Sequence, residues 1–373
     1  MKASEIPYHK TDKFSKLFID YVNKKEKLEP FINHFSTIDN FKKQIIEKKS
    51  HSVNRGVLVE VLHKQNSNLI LSDHSKKNIE NLISKDTFTV TTGHQLCIFT
   101  GPLYFIYKIL STINLSELLQ KKHPRYNFVP TFWMASEDHD FDEINHIHLF
   151  GKKIEWKSEQ KGAVGRMNLV DFTTVLDELK LVLGTSENAK ELIFLFEKTY
   201  IDNESLADAT RYLLNELFGE YGLIILDGDD KKLKKIFTPI IKKDILSQAF
   251  KDKINKCGKK LEIEYKKQAY VRDINFFRLS EAKRELIKGD IIENEIDEHP
   301  EQFSPNVLLR PLYQETILPN IAYIGGGAEV AYWMQLKTAF KQEDIPFPIL
   351  VLRNSVMLIN TRQNIKRNKL GIS

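Results

Sequence analysis

Phe88-Thr89-Val90-Thr91-Thr92-Gly93-His94-Gln95-Leu96-Cys97-Ile98-Phe99-Thr100-Gly101-Pro102-Leu103-Tyr104 opens the unit from which the rest of the chain can be read. Phe88 to Thr92 is a β-branched run closed by Gly93, the signature of a buried strand. Thr100-Gly101-Pro102 can start a helix, with Thr100 as N-cap and Pro102 in the first turn. Leu103, Ile106, Leu110 and Ile113 recur at helical spacing and predict the inward face of that helix. A second apolar strand, Phe128 to Ala135, runs straight into Ser136-Glu137-Asp138-His139-Asp140-Phe141-Asp142-Glu143, with His146 and His148 just beyond. The pattern is β-α-β, with a glycine turn after the first strand and a dense polar cluster after the second. Ligands in open α/β sheets bind at the carboxyl ends of the strands, where both polar segments fall.

Outward from this unit, residues 1–86 carry amphipathic helical patterns: Phe14, Leu17, Phe18 and Tyr21; Leu58, Val61 and Leu62; Ile79, Leu82 and Ile83. They predict a helical region docked on the sheet. Residues 87–150 form the first part of the core, and residues 151–220 a connecting insertion containing the loop Gly162-Ala163-Val164-Gly165. The run Tyr221 to Asp227 reads as a central parallel strand within residues 221–230. Residues 231–299 form a second insertion. It is lysine-rich and helical, predicting a solvated face with a break at Pro239, and is followed by a short hairpin. Residues 300–355 complete the core: an apolar strand before Arg310, a strand–glycine turn–helix at Asn320 to Trp333, and a last strand at Pro348 to Arg353. Residues 356–373 begin a polar helical region that carries apolar Met357, Leu358 and Ile359 and then only Ile365, Leu370 and Ile372 among polar residues.

The 373 residues suffice for a sizeable core, with 42% hydrophobic and 28% charged residues. That is the composition of a soluble globular protein. A net charge of +5 with scattered lysines does not call for nucleic acid and suits an anionic small substrate. Two distant cysteines, Cys97 and Cys257, exclude a disulfide framework and fit a reducing cytoplasm. No apolar run reaches membrane-span length, so no membrane partner is expected.

Three groups of residues could carry chemistry. The turns at Gly93, His94 and Gln95, at Thr100 and Gly101, and at Gly325, Gly326 and Gly327 could bring backbone N–H groups to a phosphate at a helix start. Each could also be a structural turn. Glu137, Asp138, His139 and Asp140 could supply acid–base groups, bind an amine, or simply pair with lysine and arginine. His146 and His148 share a face, but no cysteine joins them and no permanent metal is expected. Arg310 could hold a carboxylate in a bidentate fork, with Asn306, Tyr332 and Gln335 as further substrate contacts. Cys97 could be a nucleophile or a small buried thiol.

Thr92-Gly93-His94-Gln95, Thr100-Gly101-Pro102-Leu103-Tyr104, Phe132 to Glu143, Ser304-Pro305-Asn306-Val307-Leu308-Leu309-Arg310-Pro311 and Ala322 to Trp333, taken in this order, resemble the bacillithiol biosynthesis cysteine-adding enzyme (BshC) family. The resemblance spans nearly the whole chain. It implies a Rossmann-like parallel core of the nucleotidyl transferase and class I synthetase type, with helical insertions and a C-terminal coiled coil. It further implies addition of cysteine to the amine of glucosaminyl-malate in the last step of bacillithiol synthesis. The carboxylate would be activated as an adenylate or acyl phosphate at the expense of ATP, a role compatible with Mg2+. By that likeness Thr92-Gly93-His94-Gln95 stands where the synthetases carry their histidine-containing ATP signature, with one histidine in place of two. Asp138 or Glu137 would hold an ammonium group, His139 or a neighbouring carboxylate would take the amine proton, and Arg310 would hold a malate carboxylate. Full-length members are expected to dimerise through the coiled coil, and a chain of this length to be monomeric or only weakly associated. Two rival readings are a non-catalytic ligand-binding protein on the same fold and a metal-dependent hydrolase built on the acidic-histidine cluster.

Overall fold

The computed structural model describes residues 3–280, 282–287, 291 and 293–371; Ile372 and parts of the 269–299 segment lie outside them. Five parallel strands form the central sheet: β1 (Thr87–His94), β2 (Asn127–Met134), β3 (Ile224–Asp227), β4 (Asn320–Gly325) and β5 (Ile349–Leu352), in the order β5-β4-β1-β2-β3. The chain steps outward from β1 through β2 to β3, then returns to the other side of β1 for β4 and β5. The topological switch point therefore lies between β1 and β4, which pair in parallel with Thr91 opposite Tyr323 and Thr92 opposite Ile324. Four helices matter most for the site: α1 (Leu103–Lys122), α2 (Lys231–Ser247), α3 (Arg310–Ile317) and α4 (Gly327–Met334).

Alternation along the strands splits the core into two faces. On β2, Phe132 packs with Phe105 and Ile109 of α1 and with the 151–220 insertion. Trp133 faces the opposite layer, with Leu58, Leu62, Phe237 and Tyr313. On β3, Ile225 joins the first layer, while Ile224 and Leu226 join the second. Strands covered on both faces run largely apolar, as β2 and β3 do, while β1 also buries Thr89 and Thr91, which donate to Asn320. The N-terminal helices close the second layer, and Tyr21 donates its hydroxyl to the Leu350 carbonyl at 2.6 Å.

Several sequence expectations need correction. The strand at Ile224–Asp227 is parallel but lies at the edge of the sheet, where helices rather than a further strand bury it. Thr100 adopts a left-handed conformation (φ 67°), and Pro102 is the residue preceding the first turn of α1. The inward face of α1 is Phe105, Lys108, Ile109, Thr112, Ile113, Ser116 and Leu119; of the expected face Ile113 is buried, Ile106 and Leu110 are partly buried against the core, and Leu103 is exposed. Polar residues are tolerated there because Thr112 and Ser116 return their hydroxyls to the Lys108 and Thr112 carbonyls, both at 2.9 Å. Ile83 is exposed. Pro239 sits inside the continuous helix α2 and does not break it. No strand precedes Arg310 directly: Phe303–Pro305 belongs to a small antiparallel sheet with Phe276–Leu279 and Arg284–Leu286, and Arg310 begins α3. The hairpin expected between 269 and 299 is that Phe276–Leu286 pair. Among the described residues no helix is long and apolar enough to cross a membrane.

Candidate active site

The carboxyl ends of the strands form a crevice with a basic and an acidic pole. At the switch point, Lys108 reaches from α1 to the Gly93 carbonyl at 2.5 Å and to the Glu329 carboxylate at 2.9 Å. Glu329 accepts the Gly326 N–H at 2.8 Å and the Tyr323 hydroxyl at 2.8 Å. The end of β1, the end of β4 and the start of α4 are thus latched together. Burial pulls Lys108 down from its ordinary value against the opposing charge of Glu329. Burial alone would raise the Glu329 carboxyl, but Lys108 and the Gly326 N–H hold it low. Arg310 lies beside this pair. Its guanidinium donates to Gln314 Oε1 at 2.9 Å and lies 3.5 Å from the Tyr332 hydroxyl. Rings of Trp133, Tyr323 and Trp333 surround it at 6.0, 5.5 and 5.9 Å. No carboxylate within the described residues pairs with it. Arg353 completes the pole, over the ring of Tyr104 at 4.9 Å. Two arginines and a lysine face one carboxylate, which leaves capacity for an anionic ligand.

The acidic pole follows β2 and β3. Gln95 donates to Asp138 and to Glu143, both at 2.7 Å, so the loop after β1 holds the loop after β2. Burial alone would raise the Asp138 carboxyl. The Gln95 amide, the His139 N–H and the charge of Arg284 hold it below its ordinary value. Glu137 pairs with the fully buried Lys234 of α2 at 2.5 Å; burial pushes its carboxyl up against that pull. Ser136 donates to Asp227, whose carboxyl burial and neighbouring Asp229 push up. Arg166 grips Asp229 with two bonds of 2.7 Å. Arg284 anchors on Ser304 and on the Pro305 carbonyl and donates to His139 Nδ1 at 3.1 Å. A guanidinium can only donate, so Nδ1 is an acceptor there and the ring proton sits on Nε2. In this arrangement the lone pair of His139 is turned to Arg284 and not to a substrate. Asp140 is exposed at the mouth.

The remaining expected site residues separate into those the crevice uses and those the scaffold uses. Gly325, Gly326 and Gly327 open α4 beside Lys108 and Arg353, although the Gly326 N–H is already taken by Glu329. Gly101 is a structural turn: it has φ 55°, and an added Cβ would come within 2.5 Å of the Cys97 Cβ. Thr100 is part of that turn. Asn306 spends its side chain on Asn275 and on the Leu308 and Leu309 N–H groups ahead of α3. Gln335 is buried near Gly258 of the helix Lys251–Glu262, behind α4. Tyr332 stays at the crevice through Arg310. Burial pushes the Cys97 thiol up to about 12, which makes it a poor nucleophile. His146 and His148 lie on the hairpin His146–Leu149/Lys152–Glu155, and among the described residues no three His, Cys, Asp or Glu side chains are arranged to hold a metal. For ATP, Lys108 and Arg353 supply charge at the start of α4, whereas in the other two turns the Gly93 carbonyl accepts from Lys108 and the Gly101 N–H donates to the Ile98 carbonyl.

Sequence reading gave no role to Arg284, Lys234, Arg166 or Gly165. Gly165 packs against Ser136, where an added Cβ would stand 2.5 Å from the serine Cβ, and the N–H groups of Val164 and Gly165 donate to the Asp138 and Ser136 carbonyls. The insertion loop therefore clamps the acidic turn.

His94 carries a testable consequence. Burial, with Lys108 nearby, pulls its pKa down to about 4. The unfolded chain therefore binds a proton that the folded one rejects, and stability falls as pH drops from about 6.5 towards 4. Between pH 7 and pH 5 this amounts to roughly 2 kcal/mol. Urea unfolding of His94→Gln beside the unsubstituted protein at both pH values should show a loss smaller by that amount; parallel losses would exclude the assignment.

The chain matches the family model described as "Bacillithiol biosynthesis BshC, N-terminal Rossmann-like domain" over residues 1–354. It is 47% identical over 391 residues to a Flavobacterium johnsoniae protein named "Putative cysteine ligase BshC", covering 100% of this chain and 74% of that protein. A Flavobacterium psychrophilum protein of the same name is 48% identical over 392 residues with the same coverage, and one from Cytophaga hutchinsonii is 40% identical over 388 residues, covering 100% and 72%. With its parallel sheet wound about a switch point and its crevice built from the segments that carry the resemblance, the chain belongs to the bacillithiol biosynthesis BshC family.

Proposed function

We propose that this protein is a cysteine ligase of bacillithiol biosynthesis, joining the carboxyl carbon of cysteine to the amine nitrogen of glucosaminyl-malate. The observation that carries the reading is the two-pole crevice. Among the described residues its basic pole has an arginine without a carboxylate partner, and its acidic pole has the Asp138 carboxyl held below its ordinary value. The acceptor has the matching polarity, with a malate at one end and an amine at the other. Arg310 holds a malate carboxylate, with Lys108 and Arg353 adding to the local positive potential. Asp138 holds the ammonium of cysteine or of the sugar, and a carboxylate of this group, Asp138 or Asp140, takes the proton that the amine loses. His139 is less suited to that step because Arg284 occupies its Nδ1 lone pair. A free carboxylate is a poor acyl donor, and ATP supplies the activation; one carboxyl oxygen of cysteine departs with the activating group as the C–N bond forms.

Incubation with cysteine, ATP and glucosaminyl-malate, followed by mass spectrometry, should show the amide product and consumed nucleotide. Asp138→Asn should cut the turnover by about 10²- to 10⁴-fold, the range of a lost acid–base group, with the fold intact. Full turnover in Asp138→Asn would make the carboxylate structural. Absence of product from the unsubstituted protein would remove the ligase reading.

A further inference from the structure

Arg310 is only as good an anion contact as its aim, and one close side-chain hydrogen bond sets that aim. Gln314, one turn along α3 and fully buried, accepts from Arg310 Nη1 at 2.9 Å. Its other end donates from Nε2 to Glu315 Oε1 at 2.9 Å. Asn320, at the start of β4, donates to the same Glu315 oxygen at 2.6 Å. Asn320 Oδ1 in turn accepts from Thr91 at 2.8 Å and Thr89 at 3.2 Å, both on β1. At the far end Lys48 donates to the Glu315 carbonyl at 3.0 Å, with its carboxylate 3.7 Å away. Gln314, Glu315, Asn320 and Lys48 are all essentially inaccessible to solvent.

The donor and acceptor chemistry leaves the amide one orientation. A guanidinium only donates, so the glutamine must turn its oxygen to Arg310. Burial pushes the Glu315 carboxyl up to about 7 against the charge of Lys48; when ionised it only accepts, so the glutamine nitrogen must face it. The two demands agree, and Asn320 fixes the carboxylate that makes the second. A row of buried polar side chains is costly to desolvate, and apolar residues of similar volume would fill the same space without that cost. We infer that Gln314 is a positioning residue for the anion contact of Arg310, with Glu315 and Asn320 holding it in its working orientation. This rests on the reading of Arg310 given above. The row also joins the crevice to the helix Ile38–Ser50, which supplies Lys48 from a region whose sequence carries no chemistry of its own.

The test compares kcat and KM for glucosaminyl-malate in Gln314→Met, Glu315→Gln and Arg310→Ala, with melting curves on each. Gln314→Met conserves volume and removes both hydrogen bonds; it is expected to raise KM about tenfold, the size of one lost charge-assisted contact, with kcat within about twofold. Glu315→Gln presents an amide that can turn either way, and is expected to raise KM by roughly threefold. A purely packing role would lower the melting temperature and leave KM alone, and that result overturns the inference. If Arg310→Ala raises KM while Gln314→Met does not, the positioning role fails and the Arg310 reading stands. If Arg310→Ala leaves KM unchanged, the Arg310 reading itself fails. Should Gln314→Met not fold, Glu315→Gln decides: a raised KM supports the inference and an unchanged KM overturns it.

Discussion

Arg310→Ala is expected to raise KM for glucosaminyl-malate by roughly a hundredfold, with a smaller effect on kcat. The size follows from the setting of the guanidinium. It stands among three aromatic rings, beside Lys108 and Glu329, with Gln314 as its close partner. Water is largely excluded there, so a carboxylate docked on the free edge meets a charge that solvent does not screen. A charge-assisted pair of hydrogen bonds in such a place is worth about 3 kcal/mol, or roughly two powers of ten in binding. Because the malate end does not react, the contact is equal in ground and transition states, and its loss appears chiefly in KM. Arg310→Lys keeps a charge but loses the planar fork, and should fall between the two. Removal of the side chain also leaves space between Trp133 and Trp333, so a lower melting temperature accompanies the kinetic change. A KM within threefold of the unsubstituted value, at any melting temperature, would exclude Arg310 from the anion site.

How much of this was legible in the sequence depends on whether the signal was local. The strand–turn–helix at Phe88 to Lys122 and the strand feeding Ser136-Glu137-Asp138 could be read because each is contiguous and apolar strands leave a period that survives in one dimension. The same holds for Asn320 to Trp333. The place of Ile224–Asp227 in the sheet was not legible, since an edge strand covered by helices on both faces has the same apolar run as a central one. The inward face of α1 was legible only in part: Ile113 is buried and Ile106 and Leu110 pack partly inward, but Leu103 is exposed. Leucines and isoleucines dominate the pattern, but the helix turns Lys108, Thr112 and Ser116 inward, where two hydroxyls bond the helix carbonyls and the lysine bonds a strand end. Most of the electrostatic frame was beyond reach because its partners are distant in the chain. Lys234 meets Glu137 across 97 residues and Arg284 meets His139 across 145. Little within ten residues of Lys234 separates it from the exposed lysines around it. Only its position on the buried side of α2, near Leu233 and Phe237, hints that it faces inward.

That lysine gives the second large expected effect. Lys234→Met should destabilise the fold by about 3 to 5 kcal/mol at neutral pH, the usual result of removing one partner from a buried pair. Lys234 is fully buried, while the Glu137 side chain keeps 13% of its surface. The ammonium also donates to the Phe303 carbonyl at 2.7 Å and lies 5.2 Å from the Tyr313 ring centroid. One side chain thereby ties α2 to the acidic turn after β2 and to the small antiparallel sheet. A methionine fills much the same volume, so the loss reports the charge and the orphaned carbonyl rather than a cavity. The sign of the pH dependence follows. Burial already pushes the Glu137 carboxyl up, and without Lys234 nothing of opposite charge offsets that push as closely. A carboxyl whose folded-state pKa is raised is stabilising while protonated, and the contribution is lost as pH rises through the folded-state value. The variant should therefore lie closer to the unsubstituted protein at pH 5 than at pH 7.5. Adding Glu137→Gln to Lys234→Met removes the uncompensated charge and should recover part of the loss at pH 7.5, while restoring no turnover if the carboxylate belongs to the acidic pole. Urea unfolding of the three proteins at both pH values measures all of this. A single variant within about 1 kcal/mol of the unsubstituted protein at pH 7.5, the scale of an exposed pair, would show that the pair is solvated and that the acidic turn is held by Gln95, Arg284 and the Val164–Gly165 loop alone.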